Sequence, residues 1–456
     1  MSPRPAWQDR FGGGKFIATP ADVVCEATWL MFAKPMYGYS FYPFTCMVET
    51  PATWYPYSDP RLGPMMKHLL KDVLAPLGPV LKRLGRADPE VAVFESFTSV
   101  ALGAPFAMGW NAPPVTFMQR ANLDPKVVYE ETLERDGFGN LKVVFAPNCR
   151  YLTPKLVRLF RDFQAKGGVL VGDGELLKAL KADVSVPTVR FSPPPKSDWV
   201  TEVEENQAAD PKIAERRAAT RATKAAMCGN AAKLRAALAG RYEPPSRSSS
   251  PDIIVCNRRF GETDYLFAVN DKRTFGDYVG QWGLLMEKGL PNEGQVAVRD
   301  ADRRVKAVYE LSQGGEVPFV RAGDFVEVPV KFSTTDGRVF AFLHERIEKV
   351  EAEAVACDGG IRVTVKVLDA SGRPLDALLP VEIRVYDAAG AELDGAGYCA
   401  AVNGVAEAHV FTNLDDAPGA YRIVCRDRAS GMSASVSLEK RGRGEEGSAS
   451  EGKTRR

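Results

Sequence analysis

Residues 141–175, LKVVFAPNCRYLTPKLVRLFRDFQAKGGVLVGDGE, constrain the fold more than any other stretch of the chain. Leu141–Ala146 is a short apolar run of the kind buried on both faces of a parallel sheet. Thr153 before Pro154 predicts a helix start, with threonine as N-cap and proline at the first helical position. Val157, Leu159, Phe160 and Phe163 then fall on one helical face. Gly167-Gly168 stops the helix, and Val169–Val171 form the next strand. Strand, loop, helix, glycine turn and strand make half of a Rossmann-like α/β unit.

This phrase resembles the glutamine-amidotransferase-like domain of large glycoside hydrolases, called the trimerisation domain in family 42 β-galactosidases. In class I amidotransferases the strand after the glycine turn leads to an elbow that holds a cysteine between glycines. Here that place reads Gly172-Asp173-Gly174-Glu175, with neither Cys nor Ser, and no histidine follows within the domain. The chain has 3 histidines, His68, His344 and His409. Acyl transfer needs a nucleophile, a base within reach and a group to orient the base. The resemblance therefore implies a structural domain through which the chain forms a homo-oligomer.

A chain of 456 residues suggests about three domains. Its 45% hydrophobic and 26% charged residues are ordinary for a globular protein. A formal net charge of +1 supplies no global field to attract nucleic acid. No apolar run approaches the ~20 residues of a membrane-spanning helix. The opening MSPRPAWQDRFGGGK lacks the apolar core of a secretory signal, and the compartment stays open; longer relatives of this layout are often exported. The 8 cysteines are dispersed without a CxxC pair, so neither a zinc site nor any other cofactor is expected. Cys399 and Cys425 share one module, which leaves a bridge open beside the commoner reading of buried free thiols.

Residues 22–50 are rich in aromatic and β-branched residues and read as a strand. Residues 60–86 follow with apolar residues at helical spacing, broken at Pro76 and Gly78-Pro79. Together they resemble the last strand and helix of a (β/α)₈ glycosidase barrel, which precedes the amidotransferase-like domain in family 42. A full barrel takes about 250 residues. The expectation is thus either the C-terminal part of a longer enzyme or a relative without its barrel. Retaining glycosidases need two carboxylates about 5–5.5 Å apart, and no catalytic residue is assigned in this chain. Glu26 and Glu49 are the carboxylates near the expected strand. Glu49 is the better candidate to line a sugar site, against the reading of a loop-capping or solvated side chain. Trp54, Tyr55 and Tyr57 could floor a sugar subsite, against simple packing under a proline-rich loop.

In the middle domain the first strand is expected at Glu90–Phe94, a loop at 96–114, and helices at Thr116–Arg120 and Pro125–Arg135. A further strand is expected at Val189–Phe191. Pro211–Arg241 is Ala-rich and helical, interrupted at Gly229, with a basic face of the kind that is usually solvated. A Pro/Ser linker at 242–252 leads into short strands at Ile253–Cys256, Tyr265–Asn270, Gln295–Val298, Val305–Tyr309, Phe325–Val330 and Arg338–His344, a β-sandwich pattern. Residues 265–298 resemble the accessory sandwich of the same glycosidases, where Tyr278 and Trp282 could touch sugar but are expected to pack. Residues 361–438 resemble immunoglobulin-like (Ig-like) modules of bacterial carbohydrate-active proteins. The expected fold is multidomain, α/β plus all-β: a flavodoxin/Rossmann-like, class I amidotransferase-like domain followed by two β-sandwich domains. The boundaries are 1–87 (barrel remnant), 88–250 (amidotransferase-like), 251–352 (accessory sandwich), 353–440 (Ig-like) and 441–456 (disordered tail).

Three functions compete. The first is the non-catalytic C-terminal portion of a β-galactosidase-like glycoside hydrolase, serving oligomerisation and completion of a carbohydrate site. The second is a stand-alone carbohydrate-binding or scaffold protein. The third is a cysteine enzyme using Cys149 in the Pro147–Tyr151 loop, which stands after a strand but has no histidine near it in sequence.

Overall fold

The computed structural model describes residues 7–8, 15–16, 21–35, 38, 62–102, 112–187, 211–279, 285–394, 397–412 and 416–440. β1 (Trp7–Gln8) and β2 (Lys15–Phe16) pair antiparallel. The strand expected from residue 22 onward is instead a helix, α1 (Ala21–Phe32). Its buried positions, Ala21, Asp22, Glu26, Thr28, Trp29 and Phe32, recur at helical spacing. That period, with a core to bury it in, overrides the β-propensity of the individual residues. α2 (Leu62–His68), a π-helical turn (Leu69–Leu74) and α3 (Ala75–Leu81) follow one another without a break. Pro76 and Pro79 lie inside α3 instead of ending the helix. The N–H of Ala75 bonds back to Leu70 O, five residues away, so the ladder shifts register just before Pro76. β3 (Gly85–Arg86) ends this segment.

The α/β domain follows. Its elements are β4 (Val91–Glu95), α4 (Phe97–Ala101), α5 (Ala112–Arg120), β5 (Lys126–Tyr129), α6 (Glu130–Asp136), β6 (Val143–Ala146), α7 (Pro154–Ala165), β7 (Val169–Gly172), β8 (Val184–Ser185) and α8 (Pro211–Leu238). All five strands are parallel, in the order β5-β4-β6-β7-β8. The fully apolar strands are covered on both faces. Val93, Phe145 and Val171 pack under α5 and α8, while Phe94, Val144 and Leu170 pack under α6 and α7. Thr153 caps α7 as expected, accepting from Leu156 N at 3.2 Å with Pro154 in the first turn. Three expectations need correction. Ser96 caps a short helix, α4, where a loop was expected. Lys126–Tyr129 is a strand and the helix begins only at Glu130, because Val128 is buried in the sheet beside β4. Gly229 does not interrupt α8, whose flanking Ala, Lys and Arg outweigh the roughly 1 kcal/mol cost of one glycine. The expected strand at 189–191 lies outside the described residues.

Residues 246–343 form a two-sheet sandwich. The strands are β9 (Ser246–Ser248), β10 (Ile253–Phe260), β11 (Thr263–Asn270), β12 (Arg273–Val279), β13 (Leu285–Gly289), β14 (Asn292–Arg299), β15 (Ala307–Glu310), β16 (Val320–Ala322), β17 (Phe325–Phe332) and β18 (Gly337–Leu343). One sheet runs β15-β18-β11-β10-β3, the other β16-β17-β14-β9, and β12-β13 is a separate hairpin. Val255, Leu266, Val296, Val328 and Phe342 meet between the two sheets. The first sheet is buried on its other face as well, through Ile254, Cys256, Tyr265, Phe267 and Val339.

That outer face packs on α1–α3 and on the last module. The module comprises β19 (Lys349–Cys357), β20 (Gly360–Leu368), β21 (Leu378–Tyr386), β22 (Gly397–Val402), β23 (Val405–Phe411), β24 (Gly419–Asp427) and β25 (Ser433–Lys440). It is one antiparallel sheet ordered β19-β20-β23-β22-β21-β24-β25, curled until its edges β19 and β25 come within 8 Å of each other. Trp29, Phe32, Leu69 and Leu77 share one continuous core with Tyr265, Val363, Val381 and Ile423. Arg258, buried in β10, donates to Leu81 O at 2.9 Å and to Leu84 O, satisfying one carbonyl at the C-terminus of α3 and one just past it. The Tyr265 hydroxyl donates to Leu378 O at 3.0 Å and accepts from Leu378 N at 2.7 Å, joining sandwich to last module. Cys399 and Cys425 are both free thiols. β21 lies between their strands, pairing Val381 with Cys399 and Ile383 with Cys425. Two strand spacings of about 4.8 Å put the cysteines beyond the ~7 Å limit for a bridge.

Candidate functional site

A parallel sheet in the order second-first-third-fourth-fifth has its switch point between the first and third strands, here β4 and β6. Ligands of doubly wound folds bind at the carboxyl ends of those strands. In this chain that crevice is closed by its own side chains. Ser96, which follows β4, donates to Glu130 Oε1 at 2.7 Å and accepts from Ser99 N at 3.0 Å. Thr98 donates to Glu130 from its hydroxyl (2.7 Å) and its N–H (3.2 Å). Ser99 Oγ accepts from Tyr151 N at 2.9 Å. Glu130, the first residue of α6, thus spends both carboxylate oxygens on the start of α4.

Cys149 lies fully buried beneath this network. Burial above all, then the charges of Glu130 and Asp173, push its thiol up to about 12. A nucleophilic cysteine needs the opposite environment, exposed and electropositive. Asp173, in the elbow position, accepts from Asn148 N and Glu175 N, each at 3.0 Å, and holds the two loops together. His68 lies on α2, His344 beyond β18 and His409 on β23, so none belongs to the α/β domain. The elements that carry these groups also expose large apolar side chains. Phe97 is 65% exposed and Leu102 61%, and Tyr129 and Tyr151 are exposed beside them. Phe97 and Tyr129 each adjoin a residue of the Thr98–Glu130 bond, and Tyr151 itself bonds Ser99.

A second site lies where α1, α5, α8 and the sandwich meet. It is a pocket of about 260 Å³ lined by apolar Leu30, Met227 and Ile254 and by polar Thr116, Gln119 and Thr223. Its charged groups form one chain. Lys224 pairs with Asp252 at 3.2 Å, and Asp252 with Arg120 at 2.8 Å. Arg120 continues to Asp271, Asp271 to Arg273 at 2.6 Å, and Arg273 to Glu26. Burial first, then the charge of Asp271, raise the Glu26 carboxyl to about 8, so it holds its proton at neutral pH. Asp271 stays ionised: against the burial that raises it, Arg273 and Arg120 hold it below the usual carboxylate range. The Nε of Arg120, a residue only 6% exposed, has no hydrogen-bond partner.

The candidates Glu49, Trp54, Tyr55 and Tyr57 lie outside the described residues, as does Trp282; so does the side chain of Tyr278. Glu26, ranked below Glu49 by sequence, enters a charged cluster. Its signal was a glutamate on the apolar face of a helix, legible only once residues 21–32 are read at helical period. Among the described residues no helix is long and apolar enough to cross a membrane, and no group of three His, Cys, Asp or Glu could hold a metal ion.

No family model matches the chain, and no curated protein does. Solved structures similar to it are glycoside hydrolases at low identity. They include alpha-L-fucosidase isoenzyme 2 from Paenibacillus thiaminolyticus, 10% identical over 71% of this chain and 57% of that one, TM-score 0.47. The GH42 exo-carrageenase from Bacteroides ovatus is 11% identical over 74% of this chain and 39% of that one, TM-score 0.38. The beta-galactosidase from Bacillus circulans sp. alkalophilus is 11% identical over 64% and 48%, TM-score 0.37. The chain spans less than two thirds of each of these proteins.

Proposed function

We propose that this chain is the non-catalytic, oligomerising portion of a β-galactosidase-like glycoside hydrolase, and that its α/β domain is the self-association surface. The observation that carries this is the state of the switch-point crevice. Among the described residues its polar groups are bonded to one another, its thiol is buried, and Phe97, Leu102, Tyr129 and Tyr151 are exposed on the elements that carry them. Exposed apolar side chains beside polar groups that bond one another suit a protein interface better than a ligand cleft. The resemblance at 141–175 supports the same reading. So does the last module: lettered A to G, its strands run A-B-E-D-C-F-G, the two Ig-type sheets ABED and CFG joined through a C–D pairing. Tyr421, at the start of strand F, donates its hydroxyl to Ala417 O at 2.8 Å, a tyrosine corner of the Ig kind. The buried carboxyls Glu26 and Asp271 share the Arg273 guanidinium, as members of an ion-pair network do. Completion of a carbohydrate site in the full assembly, with Glu49, Trp54, Tyr55 and Tyr57 lining it, belongs to this proposal.

Light scattering on a sizing column tests it. The chain should run as a defined oligomer at about 10 μM, and Phe97→Asp with Leu102→Asp should shift it to monomer with an unchanged circular dichroism spectrum, as expected when charge enters an apolar interface. A monomeric parent, or a double variant that stays assembled, would remove the oligomerising role. Hydrolysis of o-nitrophenyl β-galactoside above the blank would remove the non-catalytic one.

A further inference from the structure

The α/β domain has an open pocket at the opposite end of its sheet from the switch-point crevice. It is lined by Arg161 and Gln164 of α7, by Lys181 and Asp183 of the segment leading into β8, and by Arg241 after α8. Its volume is about 590 Å³, room for the liquid volume of about twenty waters and far more than a single ion needs. All three cations are exposed, and among the described residues none of them forms an ion pair. Arg161 donates to Ala179 O at 2.9 Å, which leaves most of its fork unused. We infer that this pocket is the docking surface for an anionic polysaccharide, whose carboxylate groups pair with Arg161, Lys181 and Arg241. This inference goes beyond the oligomerising role and does not rest on it.

Charge is the first support. Against three cations the lining sets one carboxylate, Asp183. Surface charges are screened beyond about 8 Å at physiological salt, so scattered cations do not add up, whereas cations lining one pocket act on the same ligand. The planar fork of arginine matches the two oxygens of a carboxylate. A hydroxyl acceptor is the second support. Asp183 Oδ2 accepts from Leu170 N and from Gln164 Nε2, each at 2.8 Å, which holds the carboxylate in place. Its Oδ1 takes no bond from the described residues and is left to accept from a hydroxyl. A sugar chain brings hydroxyls beside its carboxylates; an acidic peptide brings only like charge to Asp183. The wall is the third support. Its apolar part is Ala179 and Ala182, so the described lining has no large side chain to anchor a folded partner and no aromatic ring to stack a nucleic-acid base.

Native electrophoresis of the full chain in gels cast with alginate tests this, read as retardation relative to a plain gel. Alginate should retard the chain, and dextran, a neutral glycan, should not. Polyglutamate carries carboxylates without hydroxyls and should bind about tenfold or more weaker, the loss expected when a charged acceptor goes without its donor. Duplex DNA should bind no tighter than polyglutamate. Arg161→Gln, Lys181→Gln and Arg241→Gln together should weaken alginate about tenfold or more, from about two- to fivefold for each exposed charge. The melting temperature should not change, because all three side chains lie on the surface. Lys67→Gln, Lys71→Gln and Lys82→Gln remove the same charge from exposed positions of the α2–α3 segment and should leave binding within about twofold. No retardation by alginate, equal or tighter binding of dextran, polyglutamate or DNA, or an equal effect of the two triple variants would each overturn the inference.

Discussion

Glu26 sits on the buried face of α1 between Arg273 and Asp271, and its proton makes the protein's stability depend on pH. Folding raises its pKa from 4.5 to about 8, so the folded state keeps a proton that the unfolded state has released. The contribution is full below about 4.5 and is lost as pH rises through about 8, at up to about 1.4 kcal/mol per unit. Glu26→Gln keeps the neutral shape and should flatten the fall in urea midpoint between about pH 5 and pH 8. An unchanged slope in the variant would mean another group carries the dependence. Sequence alone could mark Thr153 as a cap and Asp173 as an absent nucleophile, since both follow from nearest neighbours. It could not give Glu26 its charged surroundings, because Asp271 and Arg273, which set its chemistry, arrive some 245 residues later.

At the scale of elements, legibility followed how local each cause was. The helix 154–165 and the strands at 143–146 and 169–172 were readable because cap, period and glycine stop sit within one segment. β5 was misread because Lys126–Tyr129 is short and abuts a helix-favouring run; only its pairing beside β4 makes it a strand. α1 was misread because burial on a β assembly enriches a helix in the same large residues that mark strands. The tyrosine corner shows an element end fixed by one bond. Tyr421→Phe removes the hydroxyl that satisfies Ala417 O and should cost about 1–2 kcal/mol. Hydrogen exchange should then rise at the start of β24 while β10 and β11 keep their protection. Equal loosening of all strands would show that the corner is not a local clamp.

Across the whole molecule, besides the interior of the sandwich, the described residues form two kinds of core. The α/β domain has its own, one on each face of its parallel sheet. The other runs without a gap from α1–α3 through the outer face of the first sandwich sheet into the last module. The N-terminal helices therefore belong physically to the β modules, although residues 88–250 separate them in sequence. Trp29 is the pin: a Cβ added at Gly337 of β18 would lie 2.2 Å from its ring. Trp29→Ala should cost about 3–5 kcal/mol. The loss should appear as one unfolding transition shared by β11 and β21, with the exchange of β4 and β6 amides unaltered. Destabilisation confined to α1 would show that the shared core is not cooperative.

That shared core also sets a clock. On the ribosome α1–α3 emerge before the strands that cover them, β10, β11, β18 and β21, which are made only after the α/β domain. At about 5–20 residues per second the wait is tens of seconds. During that time Trp29, Phe32, Leu69 and Leu77 have no partner sheet to bury them. The nascent chain is therefore a client for holding factors that shield apolar helices, and its yield in a cell should track chaperone supply more closely than its final stability.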